Sequence, residues 1–275
     1  MSAKIINCKE LADNELNSIK QRSDELDKND SNSLTIIQVG NNPASNAYVK
    51  GKIKDCGLCN IKVNHLKFME DVNENIIIGN INGCESSAII VQLPLPDHLN
   101  TDRIINSIPA HKDVDGLTDE SILLLTKGTP NFIPCTALAC IKIIKSCIPD
   151  LTGLHAVVIG RSELVGKPTA SLLLQENATV TVCHSKTKNL KDICKQADIV
   201  ISAVGRPNLI TGDMIKEGAI VVDVGITRGE DNKLHGDVEF DSVSEVAGYI
   251  TTVPGGVGLM TRAMLMSNTL KSFNI

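Results

Sequence analysis

The stretch from Asn42 to Lys52, NPASNAYVKGK, sets a hydroxyl (Ser45), a phenol (Tyr48) and an amine (Lys52) at steps of three and four residues. Asn42 suits a helix N-cap and Pro43 the first helical position, so the spacing predicts a helix over 43–56. On that helix the three groups share one face. An amine beside a phenol is an acid–base device if the site is dry enough for the ammonium to lose its proton. Taken alone, the segment reads better as a solvated lysine and a packing tyrosine. The rest of the chain changes that balance.

A second candidate lies at Gly160-Arg161-Ser162-Glu163-Leu164-Val165-Gly166-Lys167-Pro168, between an apolar run at 156–159 and a helical stretch. A glycine turn from strand to helix offers free backbone N–H groups to a pyrophosphate. The spacing is not GxGxxG, because Ser162 stands at the second glycine and the last glycine comes late. An ordinary tight turn fits the same residues, and Leu164 excludes a GxSxG nucleophile elbow. About 20 residues on, where an NAD site places an acid on the ribose hydroxyls, the chain has Cys183-His184-Ser185-Lys186-Thr187. With Arg161, Ser185 and Lys186 available to an added phosphate and no acid there, charge favours NADP.

These groups need elements to carry them. Strands are expected at 34–39, 61–68 and 88–91 with helices over 43–56 and 72–83, a βαβαβ pattern. A helix over 137–145, closed by Pro149, precedes apolar β-branched runs at 156–159, 179–183, 199–204 and 220–224. Their spacing of about 20 residues is that of a parallel, doubly wound sheet. Leu259, Ala263, Met266 and Leu270 mark a last helix, which needs an apolar surface and reaches back to the first half. Gly51 weakens its helix by about 1 kcal/mol relative to Ala, with no reason visible in the sequence.

The 275 residues suit two α/β domains. Without Trp, and with two Tyr and four Phe, the cores are aliphatic and stacking platforms for single-stranded nucleic acid are not expected. The net charge of −5 argues against a nucleic-acid backbone as partner. No apolar run reads as a secretory signal or membrane span. Nine cysteines without framework spacing fit a reducing cytoplasm. Cys56 and Cys59 form CGLC at a helix end, with Gly57 as the expected C-cap; neither a redox nor a metal site is expected there.

Seven blocks occur in order: VGNNPASNAYVKGKIK, VQLPLP (91–96), KDVDG (112–116), PCT (134–136), GRSELVGKP, CHSKT and VPGGVG (253–258). Through them the chain resembles the bifunctional methylenetetrahydrofolate dehydrogenase/cyclohydrolase family over almost its whole length. The resemblance implies a folate-binding catalytic domain over 1–136 and a Rossmann-like NADP-binding domain over 137–275, with the 259–272 helix packed back on the former and the active site in a cleft between them. It implies oxidation of 5,10-methylenetetrahydrofolate by NADP and hydrolysis to 10-formyltetrahydrofolate, in a cytoplasmic homodimer with no nucleic-acid, membrane or metal partner. By position, Lys52 handles the proton of hydrolysis, Tyr48 stacks along the folate, Gln92 bonds Lys52 and Asp115 grips the pterin donors. Ser45 and Cys135 line that site, and Pro254 and Gly255 close it. Gly160, Arg161, Ser162, Ser185 and Ile226 contact the cofactor.

Simpler roles stand beside these. Gln92 fits a strand terminus, Asp115 a turn former, His184 a satisfied loop histidine and Cys135 a buried helix-start thiol. A dehydrogenase without hydrolase activity and a noncatalytic NADP- or folate-binding module are alternatives, both disfavoured by the intact Tyr48 and Lys52 pair and site residues. Ala137, Thr252 and Leu259 replace prolines of the family pattern, which is expected to loosen helix starts and loops without removing a catalytic group.

Overall fold

The structure, a computed structural model, describes residues 2–26, 32–229 and 231–274. In chain order the elements begin β1 (Lys4–Ile5), α1 (Cys8–Asp24), β2 (Ser33–Val39), α2 (Pro43–Leu58), β3 (Lys62–Phe68), α3 (Glu74–Asn82), β4 (Ala88–Val91), α4 (Thr101–Ile105) and α5 (Asp119–Thr126). There follow α6 (Cys135–Cys147), β5 (His155–Ile159), α7 (Gly166–Gln175), β6 (Thr179–Cys183), α8 (Leu190–Cys194) and β7 (Ile199–Ser202). The chain ends with β8 (Ile220–Asp223), β9 (Thr227–Arg228), β10 (Leu234–His235), α9 (Phe240–Ser244), β11 (Tyr249–Ile250) and α10 (Val257–Ser272). Two compact units result, one of Met1–Ala12 with Thr136–Thr261, the other of Asp13–Cys135 with Arg262–Ile275.

The second of these units is built on a parallel sheet in the order β3-β2-β4. Strand β2 is buried at every position, as a central strand with both faces covered must be. Ile37, Ile77, Ile81, Ile89 and Ile104 form its aliphatic core. Helix α2 starts as its residues dictate: the Asn42 side chain accepts from the N–H groups of Ala44 and Ser45, with Pro43 at the first turn. Its end differs from expectation. Gly57 lies inside the helix, Cys59 is the C-cap, and the left-handed residue is Asn60, which tolerates that conformation. Helix α3 begins at Glu74 under an Asn73 cap, later than 72, because that side chain accepts from the N–H of Asn75.

The six-stranded unit has the all-parallel order β1-β11-β8-β7-β5-β6. From β5 the chain winds one way to β6 and the other way to β7, so the strand order reverses beside β5. That reversal is the switch point where ligands bind in doubly wound sheets, at the carboxyl ends of the strands. Buried Val157, Val200, Val221 and Ile250 pack this core. The edge strand β1 escapes sequence reading because two residues carry no period; backbone pairing with β11 defines it. Helix α6 ends two residues before Pro149, as a following proline requires.

Candidate active site

In the three-stranded unit, α2 and the end of β4 meet at Lys52 and Gln92. The Lys52 Nζ donates to Gln92 Oε1 at 3.1 Å, and only 9% of the lysine is exposed. Gln92 follows β4 directly and pairs its N–H with the Ile37 carbonyl. Its Nε2 donates to the Leu93 carbonyl at 2.7 Å. A carbonyl only accepts, so this bond fixes the amide and leaves Oε1 to face the amine. On the same helix Ser45 is buried with no hydrogen-bond partner for its Oγ among the described residues, while Tyr48 presents 38% of its surface to solvent. The expected face thus combines a buried amine, a buried unsatisfied hydroxyl and an exposed phenol.

Asp115 is held by its neighbours. Asp113, the other acid of KDVDG, is buried and accepts from Gly116 N (3.0 Å), Thr118 N (2.8 Å) and Ser121 Oγ (2.7 Å). Burial raises its pKa, against the lowering effect of the bonds from Thr118 and Ser121. Gly116 has φ +70 and sits so close to Pro134 that a Cβ would lie 2.8 Å from its nitrogen. The turn is therefore scaffold at Asp113, leaving the partly buried Asp115 beside Cys135. Cys135 opens α6, fully buried, with its thiol donating to the Val114 carbonyl. Its pKa is pushed well up, first by burial and then by Asp115, whereas Lys52 lowers it. Lys52, Asp115 and Cys135 therefore share one electrostatic neighbourhood, in which the thiol is kept as a neutral lining group.

Two residues that sequence reading passed over complete this region. The buried Asn268 of α10 donates from Nδ2 to the carbonyls of Val114 and Ile133, each at 2.9 Å, clamping the segments that carry Asp115 and Cys135. Its signal was an amide among Met266, Leu270 and their apolar neighbours. Arg262 accounts for Gly51. A Cβ at 51 would overlap Arg262 Nη1, so the glycine opens a notch through which the guanidinium reaches Asp55, with Nε 3.1 Å from Oδ2. Asp55 is buried; desolvation raises its pKa, opposed by Arg262. Cys56 and Cys59 are buried thiols with pKa pushed to about 12 and about 11, mainly by burial.

In the six-stranded unit the glycine turn lies at the switch point. Gly160 has φ +119, and a Cβ there would lie 2.5 Å from the Ala203 carbonyl oxygen. A Cβ on Gly166 would overlap the Gly160 carbonyl, so the late glycine lets the turn fold back on itself. Ser162, at the position of a second glycine, accepts from the N–H groups of Val165 (3.2 Å) and Gly166 (3.4 Å) and caps the turn before α7. Arg161, Ser162, Ser185 and Lys186 are exposed on the loops after β5 and β6. No acid stands among 183–187, which fits an anionic ribose substituent. His184 accepts the Lys186 N–H at Nδ1 and bonds Thr187 through its own N–H, as a loop histidine does.

Ile226 follows β8 with 44% of its surface exposed. Pro254 and Gly255 are exposed in the loop before α10. The positions lacking proline are occupied productively. Thr252 Oγ1 donates to the Pro254 carbonyl at 3.1 Å, and the Leu259 N–H donates to Gly256, a bond proline cannot make. Ala137 is buried in the first turn of α6. Among the described residues no helix is long and apolar enough to cross a membrane.

Comparison with known proteins supplies a family. Residues 6–115 match the model "Tetrahydrofolate dehydrogenase/cyclohydrolase, catalytic domain", and residues 134–275 match "Tetrahydrofolate dehydrogenase/cyclohydrolase, NAD(P)-binding domain". The bifunctional protein FolD of Acetivibrio thermocellus is 46% identical, covering 99% of this chain and 97% of its own. The crystal structure of the bifunctional FolD methylenetetrahydrofolate dehydrogenase/cyclohydrolase of Campylobacter jejuni superposes with a TM-score of 0.94 at 43% identity, over 99% of both chains. That of the Trypanosoma brucei N5,N10-methylenetetrahydrofolate dehydrogenase-cyclohydrolase, complexed with NADP cofactor and inhibitor, gives 0.93 at 33% identity, over 100% of this chain and 98% of its own.

Proposed function

Since the chain belongs to the tetrahydrofolate dehydrogenase/cyclohydrolase family, we propose that it catalyses two successive steps of one-carbon metabolism. The first is NADP-dependent oxidation of 5,10-methylenetetrahydrofolate to the 5,10-methenyl cation. The second is hydrolysis of that cation to 10-formyltetrahydrofolate. The observation that carries the second activity is the Lys52–Gln92 contact, a buried amine held at 3.1 Å by an amide whose orientation is itself fixed. Hydride transfer alone has no use for such an amine.

NADP, when bound, supplies the acceptor for the hydride lost from the methylene carbon. For this step the chain's work is to bind and orient. Gly160, Arg161, Ser162, Ser185 and Ile226 would hold the cofactor, with Arg161 and Ser185 toward its 2′-phosphate; the exposure of Arg161 and Ser185 and the absence of an acid among 183–187 support this assignment. Asp115 takes the pterin donors through charge-assisted bonds. Tyr48 stacks on the folate, and Ser45 lines it.

In the hydrolysis, water adds to the methenyl carbon and passes a proton to the Lys52 amine. The bond from that carbon to N5 then breaks as Lys52 returns its proton to N5 and the adduct's hydroxyl proton passes to water, leaving the formyl group on N10, with net release of one proton. The Lys52 amine is the acceptor this site offers for the proton of the attacking water. Gln92 aims it. The reading extends to a cytoplasmic homodimer, in keeping with free thiols throughout and with the family resemblance.

The test is a spectrophotometric assay of methylenetetrahydrofolate oxidation with NADP and with NAD, followed by methenyl hydrolysis, on the wild type and Lys52→Met. Expected are NADP-dependent oxidation and hydrolysis abolished in the variant. Hydrolysis at the wild-type rate in Lys52→Met removes the amine from the mechanism, and a marked preference for NAD overturns the roles of Arg161 and Ser185.

A further inference from the structure

Two buried carboxylates in the six-stranded unit have no part in the chemistry above. Asp237 is fully buried and Asp223, the last residue of β8, is 4% exposed. Asp237 Oδ2 accepts from Ser202 Oγ (2.9 Å) and Val204 N (2.8 Å), and its Oδ1 accepts from Arg206 N (2.7 Å). Asp223 Oδ1 accepts from Gly225 N and Asp237 N, each at 3.0 Å, and its Oδ2 from Val238 N at 2.9 Å. Six donors thus converge on two carboxylates. No cation pairs with either among the described residues, so oriented N–H and O–H dipoles do the work of a countercharge.

The packing is reciprocal. A Cβ on Gly225 would overlap the Asp237 carboxylate, and a Cβ on Gly236 would overlap that of Asp223. Each acid lies in a notch made by a glycine next to the other acid or to its hydrogen-bonded loop. What the pair fixes is specific. Residues 203–206 follow β7, and Ala203 is the residue whose carbonyl presses on Gly160 of the phosphate turn. Residues 224–226 follow β8 and end at the exposed apolar side chain of Ile226. Both segments lie at the carboxyl ends of strands in the half of the sheet that begins at the switch point, where a cofactor docks. The Asp223 N–H also donates to Thr251 Oγ1 at 2.8 Å, which adds the segment leading to Pro254.

We propose that Asp223 and Asp237 are positioning residues for the nicotinamide cofactor, their buried carboxylates holding segments 203–206 and 224–226 in the shape that receives it. The inference rests on the NADP reading above and adds to it. Ile226 stays exposed because the brace, and not a hydrophobic contact, holds its backbone in place. Replacing either acid by the amide swaps an acceptor oxygen for a donor nitrogen facing an N–H group. The loop then rearranges while the strand beneath it remains.

The test uses the full chain carrying Asp223→Asn, Asp237→Asn or Ser202→Ala. Calorimetry gives the Kd for NADP, initial rates give KM and kcat of oxidation, and hydrolysis of methenyltetrahydrofolate is followed without NADP. Expected for each aspartate variant is a Kd and KM for NADP raised about tenfold or more, the worth of one charge-assisted hydrogen bond. Hydrolysis should stay near the wild-type rate, as should kcat of oxidation at saturating NADP. Ser202→Ala leaves both carboxylates and removes one donor, so it should show a smaller rise in the same direction even if the aspartate variants do not fold. Unchanged NADP binding in the folded variants, or hydrolysis and oxidation falling in parallel, overturns the proposal. A wild-type chain that binds no NADP refutes the functional reading instead, before any variant is made.

Discussion

Asn268 offers a sharp test of how the three-stranded unit aims its acid. Asn268→Leu keeps the branching of the side chain, while the 2.9 Å bonds to the Val114 and Ile133 carbonyls are lost. Val114 retains the Cys135 thiol as a donor at 3.4 Å. Two neutral hydrogen bonds are worth about 1 kcal/mol each, and a carbonyl left unsatisfied in the interior adds about 1–3. A loss of about 3–5 kcal/mol is expected, or roughly 6–20 °C in Tm for a chain of this size. Function should change in a directed way, because Val114 precedes Asp115 and Ile133 precedes the Pro134–Cys135 entry to α6. A displacement of about 1 Å at a positioning group can cost on the order of a hundredfold. KM for methylenetetrahydrofolate should rise and kcat of both reactions fall, with the Kd for NADP unchanged. Thermal melting and initial-rate kinetics on one preparation measure both. A lowered Tm with wild-type folate kinetics would show that Asn268 only holds the helix, and the reasoning from carbonyl to carboxylate would be wrong.

Three further outcomes follow from the buried acids. Arg262→Met strands the Asp55 carboxylate; since the arginine side chain is 26% exposed, solvent screening limits the cost to about 1–3 kcal/mol. Gly51→Ala should cost less in urea unfolding than Arg262→Met, because displacing Arg262 is offset by about 1 kcal/mol of helix propensity; the reverse order would contradict the notch. Asp223 has its pKa raised from 3.8 to about 6, by burial first and then by Asp237, while His235, Glu239 and Asp241 line the same cavity wall. A folded-state pKa above the unfolded value means that its contribution is fully present below about pH 4 and lost as pH rises through about 6, by up to about 3 kcal/mol. Guanidinium unfolding between pH 4 and 8 should show this decline in the wild type and not in Asp223→Asn; parallel curves would refute it.

Much of this molecule was legible in its residues. Asn42 and Pro43 announce the start of α2, because capping is a local bond between a side chain and the next N–H groups. The β-branched runs announce the doubly wound sheet, since strands covered on both faces must be apolar throughout. The end of α2 was misplaced from Gly57 to Cys59 because glycine permits a left-handed cap without compelling one. Strand β1 was invisible, being two residues defined only by a partner far along the chain.

Residue types, order and short-range spacing sufficed for the family, the element types and the list of candidate groups, because propensity, capping and period act within a few residues. Only the tertiary structure decided that Asp113 is scaffold, why position 51 carries no side chain, and that Asn268 grips Val114 and Ile133. The grip of Asn268 depends on atoms more than a hundred residues apart in sequence meeting within 3 Å. A linear pattern carries no distance of that kind; folding supplies it when apolar burial brings the segments together and each buried carbonyl and carboxylate has to find a donor.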